Sequence, residues 1–283
     1  MDNKLIGVIG AGTMGSGIAQ VAAEAGFEVI IRDIEDSFIE RGLAAINKNV
    51  SRAVDKGKKS KEEAENIMGR ISGTTKLEDL KEAGLVIEAV IEDIELKKEI
   101  YRELDRICPP ATVFASNTSG LSISEMASAT SRPERVIGMH FFNPAPVMKL
   151  VEVTKGTVTA EEIYQQIMDL TRKLGKEPIT VNEAPLFVVN RILIPMINEA
   201  AFVLMEGVAS AEDIDKGMTL GANHPMGPLA LADLIGIDVL LAVQDTLYSE
   251  TGDSKYRACP LIRKMVRAGH LGRKSGRGFY SYK

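Results

Sequence analysis

The chain has 283 residues, 45% of them hydrophobic, which is enough for two compact domains. Its net charge of −5 excludes a general nucleic-acid binder, which needs a clustered basic surface. Cys108 and Cys259 stand far apart and outside any CxxC spacing, which excludes a zinc cluster or a disulfide framework, so no metal is expected.

Cysteine usage fits a reducing compartment. No apolar run approaches the roughly 20 residues that span a bilayer. The first nine residues lead straight into an apolar strand without a leader. The expectation is a cytoplasmic protein without membrane contact.

In chain order, residues 5–9 form a continuous apolar run, the pattern of a parallel strand buried on both faces. Gly10-Ala11-Gly12-Thr13-Met14-Gly15 follows, then a small-residue helix and a second strand over 28–32 that ends at Asp33. Each part of this unit has a physical reason. Gly10 permits the tight turn, Gly12 lets backbone approach a pyrophosphate, and Gly15 lets helix and strand pack closely. The helix N-terminus offers free N–H groups and the positive end of its dipole. Asp33 stands where an acid accepts from adenosine ribose hydroxyls. It repels a 2′-phosphate and so favours NAD, while Arg32 beside it leaves NADP open.

Between residues 38 and 70 lies a helix-rich insertion that a minimal dinucleotide fold does not need. It carries Lys56, Lys58, Lys59 and Lys61, which read either as a solvated helix end or as an anion site for a phosphorylated ligand tail. Strands are expected over 85–90, 111–115 and 135–139, with a helix over 94–106. Glu92, Asn117, Ser119, His140 and Asn143 gather after these strands, at the carboxyl ends where α/β sheets bind ligands. Further strands are expected over 149–154 and 177–181. From Pro185 the pattern turns helical. Residues 187–204 are apolar nearly all round, a capping-box spacing opens at Ser210, and 229–247 reads as one helix. The fold class is therefore α/β: a Rossmann-type, mostly parallel sheet domain over 1–184 and an all-helical domain over 185–283. The helical domain reads equally as a dimerisation unit or as packing for the sheet domain.

His140 is one of three histidines, set between an apolar strand and the proline-broken loop Phe142-Asn143-Pro144-Ala145-Pro146. An imidazole, with a reference pKa of about 6.5, is the side-chain type that takes and gives a proton near neutrality. Taken alone, Glu152 reads as an ordinary strand residue or as a partner for that imidazole.

These blocks, with Ser116-Asn117-Thr118-Ser119, Phe187-Val188-Val189-Asn190-Arg191 and the glycine-rich stretch from Gly272 to Tyr280, resemble the short-chain L-3-hydroxyacyl-CoA dehydrogenases along the whole chain. Within that family the chain looks most like the bacterial 3-hydroxybutyryl-CoA dehydrogenases. The resemblance implies His140 as acid/base, Glu152 as its orienting carboxylate, and Ser119 and Asn190 as substrate contacts. It implies a cofactor site of Gly10, Gly12, Thr13, Met14, Gly15, Asp33, Glu92, Lys97, Asn117, Asn143 and Lys274, with NAD as cofactor. Lys56 is implied to hold coenzyme A. The implied reaction is reversible NAD(H)-dependent reduction of acetoacetyl-CoA to (S)-3-hydroxybutyryl-CoA by a homodimer or a dimer-based oligomer. Two other readings share the fold: a dehydrogenase of a hydroxy acid without CoA, and a non-catalytic NADH-binding protein like some lens crystallins. One departure is Leu186, where the family usually carries glycine; a left-handed backbone there costs leucine energy that glycine does not lose.

Overall fold

A computed structural model describes residues 4–282, which divide into a compact unit ending at Phe187 and another beginning at Val188. In the first unit the order is β1 (Leu5–Ile9), α1 (Thr13–Glu24), β2 (Glu28–Arg32), α2 (Asp36–Asp55), α3 (Lys61–Gly69), β3 (Ile71–Thr74), β4 (Leu85–Glu88) and α4 (Ile94–Ile107). It continues with β5 (Val113–Ser116), α5 (Ile123–Ala127), β6 (Val136–Phe141), β7 (Leu150–Lys155), α6 (Glu161–Lys173) and β8 (Glu177–Asn182). The strands form one sheet in the order β3-β2-β1-β4-β5-β6-β7-β8. All neighbours are parallel except β6 and β7.

Apolar strands at the centre of the sheet explain its burial. Every residue of β4, β5 and β6 is buried, as a parallel sheet covered on both faces demands. One face packs Ile18 and Ala22 of α1, Ile46 of α2 and Ile167 of α6. The other packs Ile100 and Leu104 of α4 with Met126 of α5. The edge strand β3 has only four residues and no clear apolar run, so the sequence pattern does not reveal it.

Helices α2 and α3 occupy the insertion. Ser60 opens α3 with a capping box in which its hydroxyl accepts from the Glu63 N–H and Glu63 accepts from the Ser60 N–H. Lys59 pairs with Glu24 of α1 at 3.5 Å and ties the turn between α2 and α3 to the sheet domain.

The second unit holds α7 (Val189–Met205), α8 (Ala211–Gly221), α9 (Pro228–Ile235), α10 (Ile237–Thr251) and α11 (Pro260–Arg267). Ile194, Ile197 and Ala201 of α7 pack with Leu240 and Ile262 in its core. The single helix expected over 229–247 is two, because Gly236 takes φ +103° and breaks the ladder between α9 and α10. Asp215 accepts from the N–H groups of Leu229 and Ala230 and so caps α9. Asp233 accepts from the N–H groups of Phe279 and Tyr280 and folds the C-terminal segment onto α9. Among the described residues no helix is long and apolar enough to cross a membrane.

Candidate active site

The glycine loop leaves β1 through Gly10, whose φ of +100° and close approach to Ala89 O exclude a side chain. A Cβ on Gly15 would collide with Gly10 O, so the helix starts directly against the turn. Gly12 faces open space. Thr13 and Met14 lie in the first turn of α1, where N–H groups lack intrahelical partners; the Met14 side chain itself packs on the core. Asp33 accepts from the Ala11 N–H at 2.6 Å and from the Ile34 N–H at 2.7 Å, which binds the glycine loop to the end of β2. Arg32 turns its Nε toward Thr75 O, 3.3 Å away. A cavity of about 750 Å³ opens over this loop, lined by Gly12, Thr13, Asp33, Phe38, Arg41 and Ile91 among others. Its bare glycine face, free helix N–H groups and flanking carboxylate fit a dinucleotide.

At the ends of β4 and β5 the structure assembles a polar network. Glu88 ends β4 fully buried and accepts from the Val90 N–H, from Lys97 Nζ at 2.6 Å and from the Ser116 hydroxyl at 2.7 Å. Lys97 is equally buried and also pairs with Glu92 at 3.2 Å. Glu92 in turn accepts from the Thr118 hydroxyl and from the Ser119 N–H. Asn117 accepts from the Phe141 N–H at 2.9 Å, which joins the end of β5 to β6 beside His140. Glu92, Lys97, Asn117 and Ser119, scattered in the sequence, thus meet at one end of the sheet.

Glu88 was not among the residues singled out from the sequence. A charge closing the apolar run Leu85-Val86-Ile87 is the signal that marks it, because a buried carboxylate persists only when paired.

His140 and Glu152 are register partners on the antiparallel pair β6 and β7. His140 Nδ1 lies 2.7 Å from Glu152 Oε2, with the carboxylate wholly buried. Against an ionised carboxylate, which only accepts, Nδ1 is the donor in this hydrogen bond. Phe142 and Phe187 border the imidazole, with ring centroids 4.5 and 5.8 Å away. Asn143 is exposed in the loop that follows. Lys56 is exposed at the C-terminal end of α2. In the second unit, Asn190 is half-buried in the first turn of α7, and Lys274 pairs with Asp238 at 2.6 Å.

A doubly wound sheet with this loop, cavity and carboxylate is the architecture of NAD-dependent dehydrogenases. The chain belongs to the 3-hydroxyacyl-CoA dehydrogenase family: residues 5–184 match that family's NAD binding domain and residues 187–282 its C-terminal domain. It is 55% identical to the probable 3-hydroxybutyryl-CoA dehydrogenase of Bacillus subtilis, over 100% of this chain and 98% of that one. It is 53% identical to the 3-hydroxybutyryl-CoA dehydrogenase of Clostridioides difficile, over 98% and 99% of the two chains. The crystal structure of (S)-3-hydroxybutyryl-CoA dehydrogenase from Ralstonia eutropha superposes with a TM-score of 0.97 at 50% identity, and the match covers 100% of both chains.

Proposed function

We propose that the chain reversibly reduces acetoacetyl-CoA to (S)-3-hydroxybutyryl-CoA with NADH, with His140 as the acid/base. The observation that carries this reading is the buried His140–Glu152 pair at the end of β6. Glu152 holds the Nδ1 proton, fixes the tautomer and stabilises the imidazolium, as an aspartate does in serine proteases. In reduction the His140 imidazolium gives its Nε2 proton to the oxygen developing on C3 and is left as the neutral Nδ1–H imidazole; in oxidation that neutral ring takes the hydroxyl proton at Nε2. NADH, when bound, supplies the hydride that C3 accepts. The Ser119 hydroxyl and the Asn190 amide donate hydrogen bonds to the substrate oxygens and set the reacting carbon.

Gly10, Gly12, Thr13, Met14 and Gly15 hold the pyrophosphate, and Asp33 accepts from the adenosine ribose. Glu92, Lys97, Asn117, Asn143 and Lys274 serve the rest of the cofactor. Lys56 and its neighbouring lysines attract the phosphates of coenzyme A. A second cavity of about 420 Å³ lies between α2 and α3; of these lysines Lys61 lines it, beside the carboxylates of Asp55 and Glu65. The sheet domain over 1–184 is the cofactor domain and the helical domain over 185–283 serves substrate contact and dimerisation in the cytoplasm. Ile192, Val208 and Leu220 are exposed on the second unit, and light scattering, which reads the mass, tests the dimer.

The test is purified protein with acetoacetyl-CoA and either NADH or NADPH, followed at the nicotinamide absorbance. Rapid loss with NADH alone is expected. Turnover of free acetoacetate in preference to its thioester would move the assignment to hydroxy acids without CoA. Tight NADH binding without turnover of any substrate would leave a binding protein.

A further inference from the structure

The chain between β8 and the end of the first unit is held in a costly shape. Glu183 accepts from the Ser122 hydroxyl at 2.7 Å and from the Ser124 N–H at 2.9 Å, which pins the start of the segment on α5. The Phe187 N–H then donates to Ala184 O at 3.0 Å. Through this turn Leu186 has φ +61° and Phe187 φ +57°. Two consecutive non-glycine residues in the left-handed region are strained, and such strain persists only where the surroundings over-determine it.

The surroundings are the candidate active site. Leu186 is 2% exposed and lies over Gly120, where any Cβ would collide with the Leu186 side chain. Gly120 directly follows Ser119. Phe187 is 3% exposed and brings its ring to 5.8 Å from the His140 imidazole. The Glu152 hydrogen bond to Nδ1, an atom off the Cβ–Cγ axis, resists a flip of the ring, and contacts on the ring limit the smaller rocking that the hydrogen bond tolerates. Phe142 reaches the ring from the first position past the end of β6, two residues on in the chain. Phe187 reaches it only through the left-handed turn.

We infer that Phe187 is a positioning residue for His140, aimed by the left-handed turn at Leu186–Phe187, with Gly120 bare so that Leu186 can seat. The inference rests on the proposed role of His140. It makes the backbone of residue 186, more than its side chain, the quantity that matters.

Three variants test this. Leu186→Gly removes the side chain and keeps the left-handed turn, so kcat is expected to stay at the wild-type value. Leu186→Val keeps more apolar surface, yet a β-branched residue resists positive φ. It is expected to lower kcat on the order of 10- to 100-fold, as small misplacements of reacting groups do, with KM for NADH unchanged. Burial alone ranks these two variants in the opposite order. Phe187→Leu, which needs no change of the turn's neighbours, is expected to lose kcat like Leu186→Val.

The second readout is nitrogen-labelled imidazole NMR, where three histidines, His140, His224 and His270, give separable signals. The His140 Nδ1–H is expected to be sharp and slow to exchange in the wild type and broadened in Phe187→Leu. Wild-type kcat and an unchanged signal in Phe187→Leu would overturn the inference, as would Leu186→Gly falling below Leu186→Val. Wild-type turnover in His140→Gln would instead remove the acid/base reading, and the NMR comparison would still decide whether Phe187 positions the ring.

Discussion

Glu88 and Lys97 meet at 2.6 Å, each side chain 1% exposed, and tie the end of β4 to the first turn of α4. A buried ion pair adds little net stability over an apolar pair, but removing one partner strands the other charge away from water. What the pair does here is positional: through Glu92 it reaches the Ser119 N–H.

Glu88→Gln is therefore expected to destabilise the protein by about 3 kcal/mol, at the lower end of the range for broken buried pairs because Glu92 still faces Lys97. Urea unfolding followed by circular dichroism measures it. The double variant Glu88→Gln/Lys97→Met, which removes both charges, is expected to recover most of the loss. A single variant as stable as the wild type would show that Lys97 does not depend on Glu88.

For the acid/base pair, His140→Gln is expected to lower kcat by about 10²- to 10⁴-fold. Glu152→Gln is expected to be damaging as well, because an amide facing Nδ1 can favour the wrong tautomer. NADH binding, followed by fluorescence, stays near the wild-type value in both. Near-normal turnover in either variant would remove that residue from the mechanism.

Asp33 holds the Ala11 N–H, and in the proposed cofactor site its charge opposes a 2′-phosphate. Asp33→Ala is expected to raise the NADPH-to-NADH ratio of kcat/KM by about ten-fold or more, the equivalent of ~1.4 kcal/mol. It should also weaken NADH, since the glycine loop loses its tie to β2. An unchanged ratio would shift cofactor selection to other residues of the cavity.

The thiols give a pH prediction. Burial pushes Cys108 up to about 11 and raises Cys259 as well. Their native state favours the protonated form, so this contribution to stability is fully present below the unfolded thiol pKa of about 8.5. For Cys108 it is lost as pH rises toward 11. Native protein at pH 8 is expected to resist iodoacetamide at both positions and to react after denaturation. Rapid labelling of the folded protein would contradict the burial of these side chains.

Much of this was legible in the sequence, where local physics decides. The apolar run of β1, the glycine positions and the acid closing β2 are local requirements of a turn against a helix N-terminus, so they declare themselves within some thirty residues. His140 stood out because it is one of three histidines and stands between an apolar strand and a proline-broken loop. Its pairing with Glu152 needed only two strands joined by one loop. Gly236 hid a helix break, because glycine inside an apolar helical pattern reads as tolerated until its φ is seen. Strand β3 was too short and too exposed to show.

What only the tertiary structure decided is the set of contacts between residues remote in sequence: Glu88 with Ser116, Asn117 with Phe141, Leu186 over Gly120 and Phe187 on His140. Composition and periodicity determine which face of an element is buried. Which side chains meet depends on strand order, register and the backbone angles of single residues, and those are settled by packing over the whole domain.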